Sequence, residues 1–120
     1  MAKKKIEVEG TSITIDANGV VSITDIAKRS VNTRPREVIR NWLRNLGTIN
    51  YLEEWEKAHN PNFKGVQFDP FRKNAGKNNF IISPQMYIEQ IGPVGMTSKS
   101  GRYGGTYVHS DIALNFCYWL

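Results

Sequence analysis

Arg36, Arg40 and Arg44 recur every fourth residue with Asn41 and Asn45 beside them, and later Gly101-Arg102-Tyr103-Gly104-Gly105 sets a guanidinium and a phenol between glycines. On a helix advancing about 100° per residue, positions four apart drift by about 40°, so the arginines make one stripe. These side chains grip anions and base edges. Arginine can take guanine O6 and N7 through two hydrogen bonds, asparagine can do the same for adenine, and a guanidinium without an acidic partner clamps phosphate. Only Glu37 lies among the arginines, whereas a helix stabilised by its own surface pairs interleaves acids at spacing four. Two readings stand for each feature: a solvated helix face or a polyanion-binding one, and an ordinary hairpin turn or a basic loop aimed at phosphate.

Charge distribution favours the second reading. The 120 residues carry a net charge of +5, and three of those charges are Lys3, Lys4 and Lys5. From Lys28 to Arg44 the net charge is +5, from Arg72 to Arg102 it is +4, and the remainder is acidic. Two cationic segments on an acidic body make a polyanion-binding surface if the fold brings them together.

The elements that must position them can be read from periodicity and punctuation. Ile6–Val8, Ser12–Ile15 and Val20–Ile23 read as strands, with Asn18-Gly19 as a hairpin turn. A short helix carries Ile26, Ala27 and Lys28, capped by Ser22 or Thr24. The arginine helix begins at Arg34, because Pro35 suits the first helical position, and it stops at Gly47. Val38, Ile39, Trp42, Leu43 and Leu46 form its buried arc. Thr48 caps a third helix through Ala58 that buries Ile49, Leu52 and Trp55 and exposes Glu53, Glu54, Glu56 and Lys57. Residues 62–79 read as a long connection with one short strand near Val66–Phe68. Ser83-Pro84 starts a fourth helix that carries Met86, Tyr87 and Ile91 and ends at Gly92-Pro93. Val94–Ser98 and Thr106–Val108 pair as a hairpin, and a last helix from Ser110 packs Ile112, Ala113, Phe116, Cys117 and Leu120. The expectation is an α+β single domain over 6–120 behind a basic tail at 1–5, cut from a longer protein because the final helix has no terminating signal.

Several chemistries lack their residues. Cys117 is the single cysteine, which excludes an intrachain disulfide and a multi-cysteine zinc site. His59 and His109 have no cluster to complete a metal set, so no metal and no cofactor are expected. His109, Ser110 and Asp111 are too close in sequence to form a triad, and no lysine step follows Gly104-Gly105 as a phosphate loop requires. His109 reads instead as a cap between hairpin and last helix, and no catalytic residue is assigned. No apolar run reaches the roughly 20 residues of a membrane span, and no secretory signal opens the chain, which points to the cytoplasm and to no membrane partner. Tyr103, between arginine and glycine, could stack on an unpaired base.

Thr24-Asp25-Ile26-Ala27-Lys28, Ile39 with Trp42-Leu43-Arg44, Thr48-Ile49 with Leu52, Trp55-Glu56, Asn60-Pro61 with Phe63, and above all Gly101 to Tyr107 with His109, Asp111-Ile112-Ala113, Phe116 and Trp119 resemble the KilA-N domain. Such domains occur in bacteria, phages and large DNA viruses, usually ahead of a variable partner domain, and are similar to fungal APSES domains. The resemblance implies a winged-helix-like α+β fold that binds double-stranded DNA without catalysis, in the cytoplasm or on the nucleoid. Arg34, Arg36, Arg40, Asn41, Arg44 and Asn45 then fall on the recognition helix, with Lys28 ahead of it. Lys99, Arg102 and Tyr103 fall on the wing, which Gly101, Gly104 and Gly105 shape. A transcription regulator of phage or bacterial origin is the implied setting. Two other classes stay open: a module docking an acidic protein partner, and a binder of RNA or single strands.

Overall fold

The computed structural model describes residues 4–8, 11–15, 19–28, 34–77, 80–100 and 104–120, and side chains are described from Ile13 onward. The alternating apolar runs at the start pair as a hairpin, β1 (Lys4–Val8) with β2 (Thr11–Ile15), in the register Ile6↔Ile13. The strand takes in Lys4 and Lys5, which the sequence reading assigned to the tail. The short β3 (Val21–Ser22) adds antiparallel to β2 through Ile15↔Val21. On its other side lies β5 (Gly105–Val108), paired in turn with β4 (Met96–Lys99), so the antiparallel sheet runs β1-β2-β3-β5-β4. The N-terminal and C-terminal hairpins are thus stitched into one sheet by two residues of β3.

Six helices accompany this sheet among the described residues: α1 (Ile23–Ala27), α2 (Pro35–Leu43), α3 (Leu46–His59), α4 (Asp69–Asn74), α5 (Pro84–Ile91) and α6 (Ser110–Trp119). Ser22 caps α1, its Oγ accepting from the Asp25 amide at 3.1 Å. The Asp25 carboxylate accepts from the Thr14 amide at 2.9 Å, which ties α1 to β2. In α2 the predicted arc is buried at Val38, Ile39, Trp42 and Leu43. Trp42 is completely enclosed, meets Phe116 of α6 edge to face at 5.2 Å, and donates its indole N–H to Asn115 at 3.0 Å. Burial on this scale stabilises by about 1.5–3 kcal/mol for each large apolar side chain, and an aromatic pair adds about 1 kcal/mol.

Several boundaries differ from expectation for physical reasons. The helix from Arg34 stops at Leu43, not Gly47, because Asn45 takes extended backbone and begins α3. Its side-chain amide donates to the carbonyl of Asn41 at 2.7 Å, which closes α2 from behind. Gly47 and Thr48 therefore sit inside α3, Thr48 is buried, and Leu46 is exposed. The segment read as a long connection holds a 3-10 turn at Gly65–Phe68 and then α4. Pro70 lies in the first turn of that helix, and Phe68 and Phe71 enter the core against Tyr87. Cys117 is exposed and not a core residue, and Leu120 is likewise open to solvent, because α6 buries only Ile112, Ala113 and Phe116.

The largest departure is Glu56. Expected on the surface of α3, it is fully buried. Its carboxylate accepts from the amides of Val94 and Gly95, both at 2.9 Å, and from the Asn60 side chain at 3.0 Å. A buried acceptor is tolerated when donors satisfy it, and here two of the donors belong to the turn that launches β4 while the third, Asn60, ends α3. Glu53, also expected to be exposed, is half-buried and pairs with Arg72, which also meets Asp69. Burial, with Glu56 nearby, raises the Tyr87 phenol above its ordinary range. His59 closes α3 with its ring stacked on Trp55 at 4.1 Å, and His109 caps α6 by accepting from the Asp111 amide at 3.1 Å.

Candidate nucleic-acid interface

One face of α2 is committed to the core, which fixes what the other presents. Arg34, Arg36, Arg40 and Asn41 are exposed on it, and among the described residues the three arginines have no ion pair. Glu37 shares this surface in the first turn.

The β4–β5 hairpin reaches the same place. A cleft of about 400 Å³ lies between α2, the start of α5 and the hairpin, and its walls include Arg36, Arg40, Lys99, Ser100 and Gly104. Among the described residues no carboxylate lines it. A second hollow of about 470 Å³ flanks the same arginines on the side of Arg34 and Pro35, where Glu37 takes part. Arg36 and Arg40 therefore form a ridge between two depressions, with Thr24 bordering both.

What sets the hairpin against α2 is an intimate contact with α1. The Thr106 amide donates to Thr24 Oγ1 at 2.9 Å. A Cβ on Gly105 would stand 2.8 Å from that oxygen, and one on Gly104 would collide with the Lys99 carbonyl, so the glycine pair is required by close approach on both sides. Lys99 closes the hairpin opposite Gly105, and its ammonium lies 4.7 Å from the ring centre of the buried Tyr107. That cation–π contact holds the charge at the turn end of the hairpin.

The remaining sequence candidates separate. Lys28 is exposed at the end of α1, 3.7 Å from Asp25. Arg44 is half-buried and turned to structural use, its guanidinium donating to the Lys77 carbonyl at 2.7 Å while its own carbonyl accepts from Gly76. Asn45 is occupied with the end of α2. The stripe of three is thus two arginines on the cleft and one in the scaffold, because α2 ends before Arg44 and redirects it. Gly101, Arg102 and Tyr103 lie outside the described residues, but Ser100 and Gly104 on either side of them border the cleft. Sequence reasoning missed Ser83, Gln85, Ser98 and Ser100 as cleft residues, since neutral polar side chains leave no charge signature.

Among the described residues no group of three or more His, Cys, Asp and Glu side chains is placed to hold a metal ion, and no helix is long and apolar enough to cross a membrane. Comparisons with curated proteins and with solved structures found no match. Comparison with protein families matched the KilA-N domain over residues 4–120, so the turn residues and core positions that carry the resemblance extend through the whole fold described above. The chain belongs to the KilA-N family of DNA-binding domains.

Proposed function

We propose that this domain binds double-stranded DNA and performs no catalysis, with α2 as the recognition helix. In this reading α1 and α2 act as a helix-turn-helix, α1 crossing the backbone while α2 enters the major groove with Arg34, Arg36, Arg40 and Asn41 on its outer face, Arg36 and Arg40 meeting the phosphates at the groove edge. The β4–β5 hairpin is the wing, bringing Lys99, Arg102 and Tyr103 to flanking phosphates or the adjacent minor groove. Lys28 supplies a further backbone contact. The domain would serve as the targeting module of a phage-derived or bacterial transcription regulator in the cytoplasm, coupled to a C-terminal partner domain.

The observation that carries this reading is the convergence of Arg36 and Arg40 with Lys99 on one cleft that, among the described residues, no carboxylate lines. Charges drawn from separate elements onto one face repel each other and gain most from a polyanion. The test is Arg36→Glu with Arg40→Glu, assayed by duplex affinity across a salt series. Two lost phosphate contacts would flatten the slope of log affinity on log salt by about 1.8, and the fold, read by circular dichroism, would be retained because both side chains are exposed. Unchanged duplex affinity in a folded double variant would refute the assignment of α2.

A further inference from the structure

The cleft is more than a meeting point of charges. Besides Arg36, Arg40 and Lys99 it is lined by neutral hydrogen-bonding side chains, Ser83 and Gln85 from the start of α5 and Ser98 and Ser100 from the hairpin. Hydroxyls and amides of this kind hold phosphodiester oxygens and position a protein on the duplex without reading sequence. The lining also includes Ile39 and Pro84, buried side chains whose small exposed edges leave a narrow apolar patch on the floor of the cleft. A bare anion gains nothing from that patch, whereas the carbon face of a sugar does. At about 400 Å³ the space suits a piece of ligand, not a single ion.

We infer that this cleft seats the sugar–phosphate strand that runs between the two grooves, with the start of α5 as a third DNA-contacting element beside α2 and the hairpin. The inference rests on the duplex-binding reading above: if α2 occupies the major groove and the hairpin the adjacent minor groove, the strand separating them crosses the gap between these elements. Phosphate oxygens meet Arg36, Arg40 and Lys99, the deoxyribose lies over Ile39 and Pro84, and Gln85 and Ser98 donate from the far wall.

Gln85→Glu and Ser98→Glu each place a carboxylate in the cleft, while Gln90→Glu makes the same charge change at an exposed position of α5 that does not line it. Affinity for a random duplex of about 16 bp is measured at salt rising from about 50 mM. The seat predicts that either cleft variant binds at least about fivefold more weakly than Gln90→Glu, with a salt slope flatter by about 0.9. Cleft variants matching Gln90→Glu, while the parent binds duplex, would overturn the seat and leave the duplex reading intact. A parent that binds no duplex would remove both. Thymidine 5′-monophosphate and inorganic phosphate, titrated separately against the parent by NMR, identify the source of the phosphate. Weak, millimolar shifts at the cleft agree with a strand segment, and saturation of the cleft at micromolar mononucleotide would replace the strand by a free nucleotide.

Discussion

Replacing Glu56 tests whether a buried carboxylate sets the position of the hairpin. One oxygen accepts from Val94 and Asn60 and the other from Gly95, at 2.9 to 3.0 Å, in a side chain with no solvent exposure. In Glu56→Gln the amide oxygen can keep the first pair, but the NH₂ group then faces the Gly95 N–H, donor against donor. One lost bond to a charged acceptor and one orphaned amide cost about 2 kcal/mol. Glu56→Ala strands the Val94 and Gly95 amides, leaves the Asn60 side chain only the Gly92 carbonyl, and opens a cavity, costing about 4 kcal/mol, a large part of the roughly 5–15 kcal/mol that holds a domain of this size. Near the midpoint each kcal/mol shifts Tm by about 4 °C for 120 residues, so drops of about 8 °C and 16 °C are expected by calorimetry. The Val94 and Gly95 amides should also lose hydrogen-exchange protection before the strands of the sheet do. A Gln variant as stable as the parent, or more so, would refute the reasoning, since the cost of burying the charge would then exceed what its three bonds return.

Gly105→Ala drives a methyl into Thr24 and should cost about 1–3 kcal/mol while weakening duplex binding through the displaced hairpin; unaltered stability by urea titration would contradict that contact. Arg44→Gln and Arg40→Gln should behave oppositely, the first lowering Tm through loss of the Lys77 carbonyl contact and the second lowering duplex affinity at constant Tm. Tyr87 is fully buried, and among the described residues its hydroxyl has no hydrogen-bond partner, so Tyr87→Phe should be neutral or stabilising at pH 7. Because the folded phenol titrates above its ordinary value of 10.0, the unfolded chain loses that proton first and stability falls as pH rises past about 10; the Phe variant should lack this component in alkaline denaturation curves.

Local chemistry was legible in the residues themselves. Pro35 and Ser83-Pro84 start helices, Gly92 ends one, and the 3.6-residue repeat of Val38, Ile39, Trp42 and Leu43 chooses the buried face of α2. These signals act within a turn or two of chain and need no partner. The cationic segments and the glycine-rich hairpin were visible for the same reason, as were the residues that carry the KilA-N resemblance. Tertiary structure decided the rest. Whether Arg40 and Lys99 share a face depends on β3 joining the two hairpins and on Thr24 receiving the Thr106 amide, the latter a contact between residues 82 positions apart. Glu56 carries the same charge as its neighbour Glu54, and only the arrival of Val94 and Gly95 makes one a buried anchor while the other stays at the surface. A side chain's type fixes which bonds it can make, but the packing of distant segments fixes which donors reach it, and through them whether it becomes scaffold or interface.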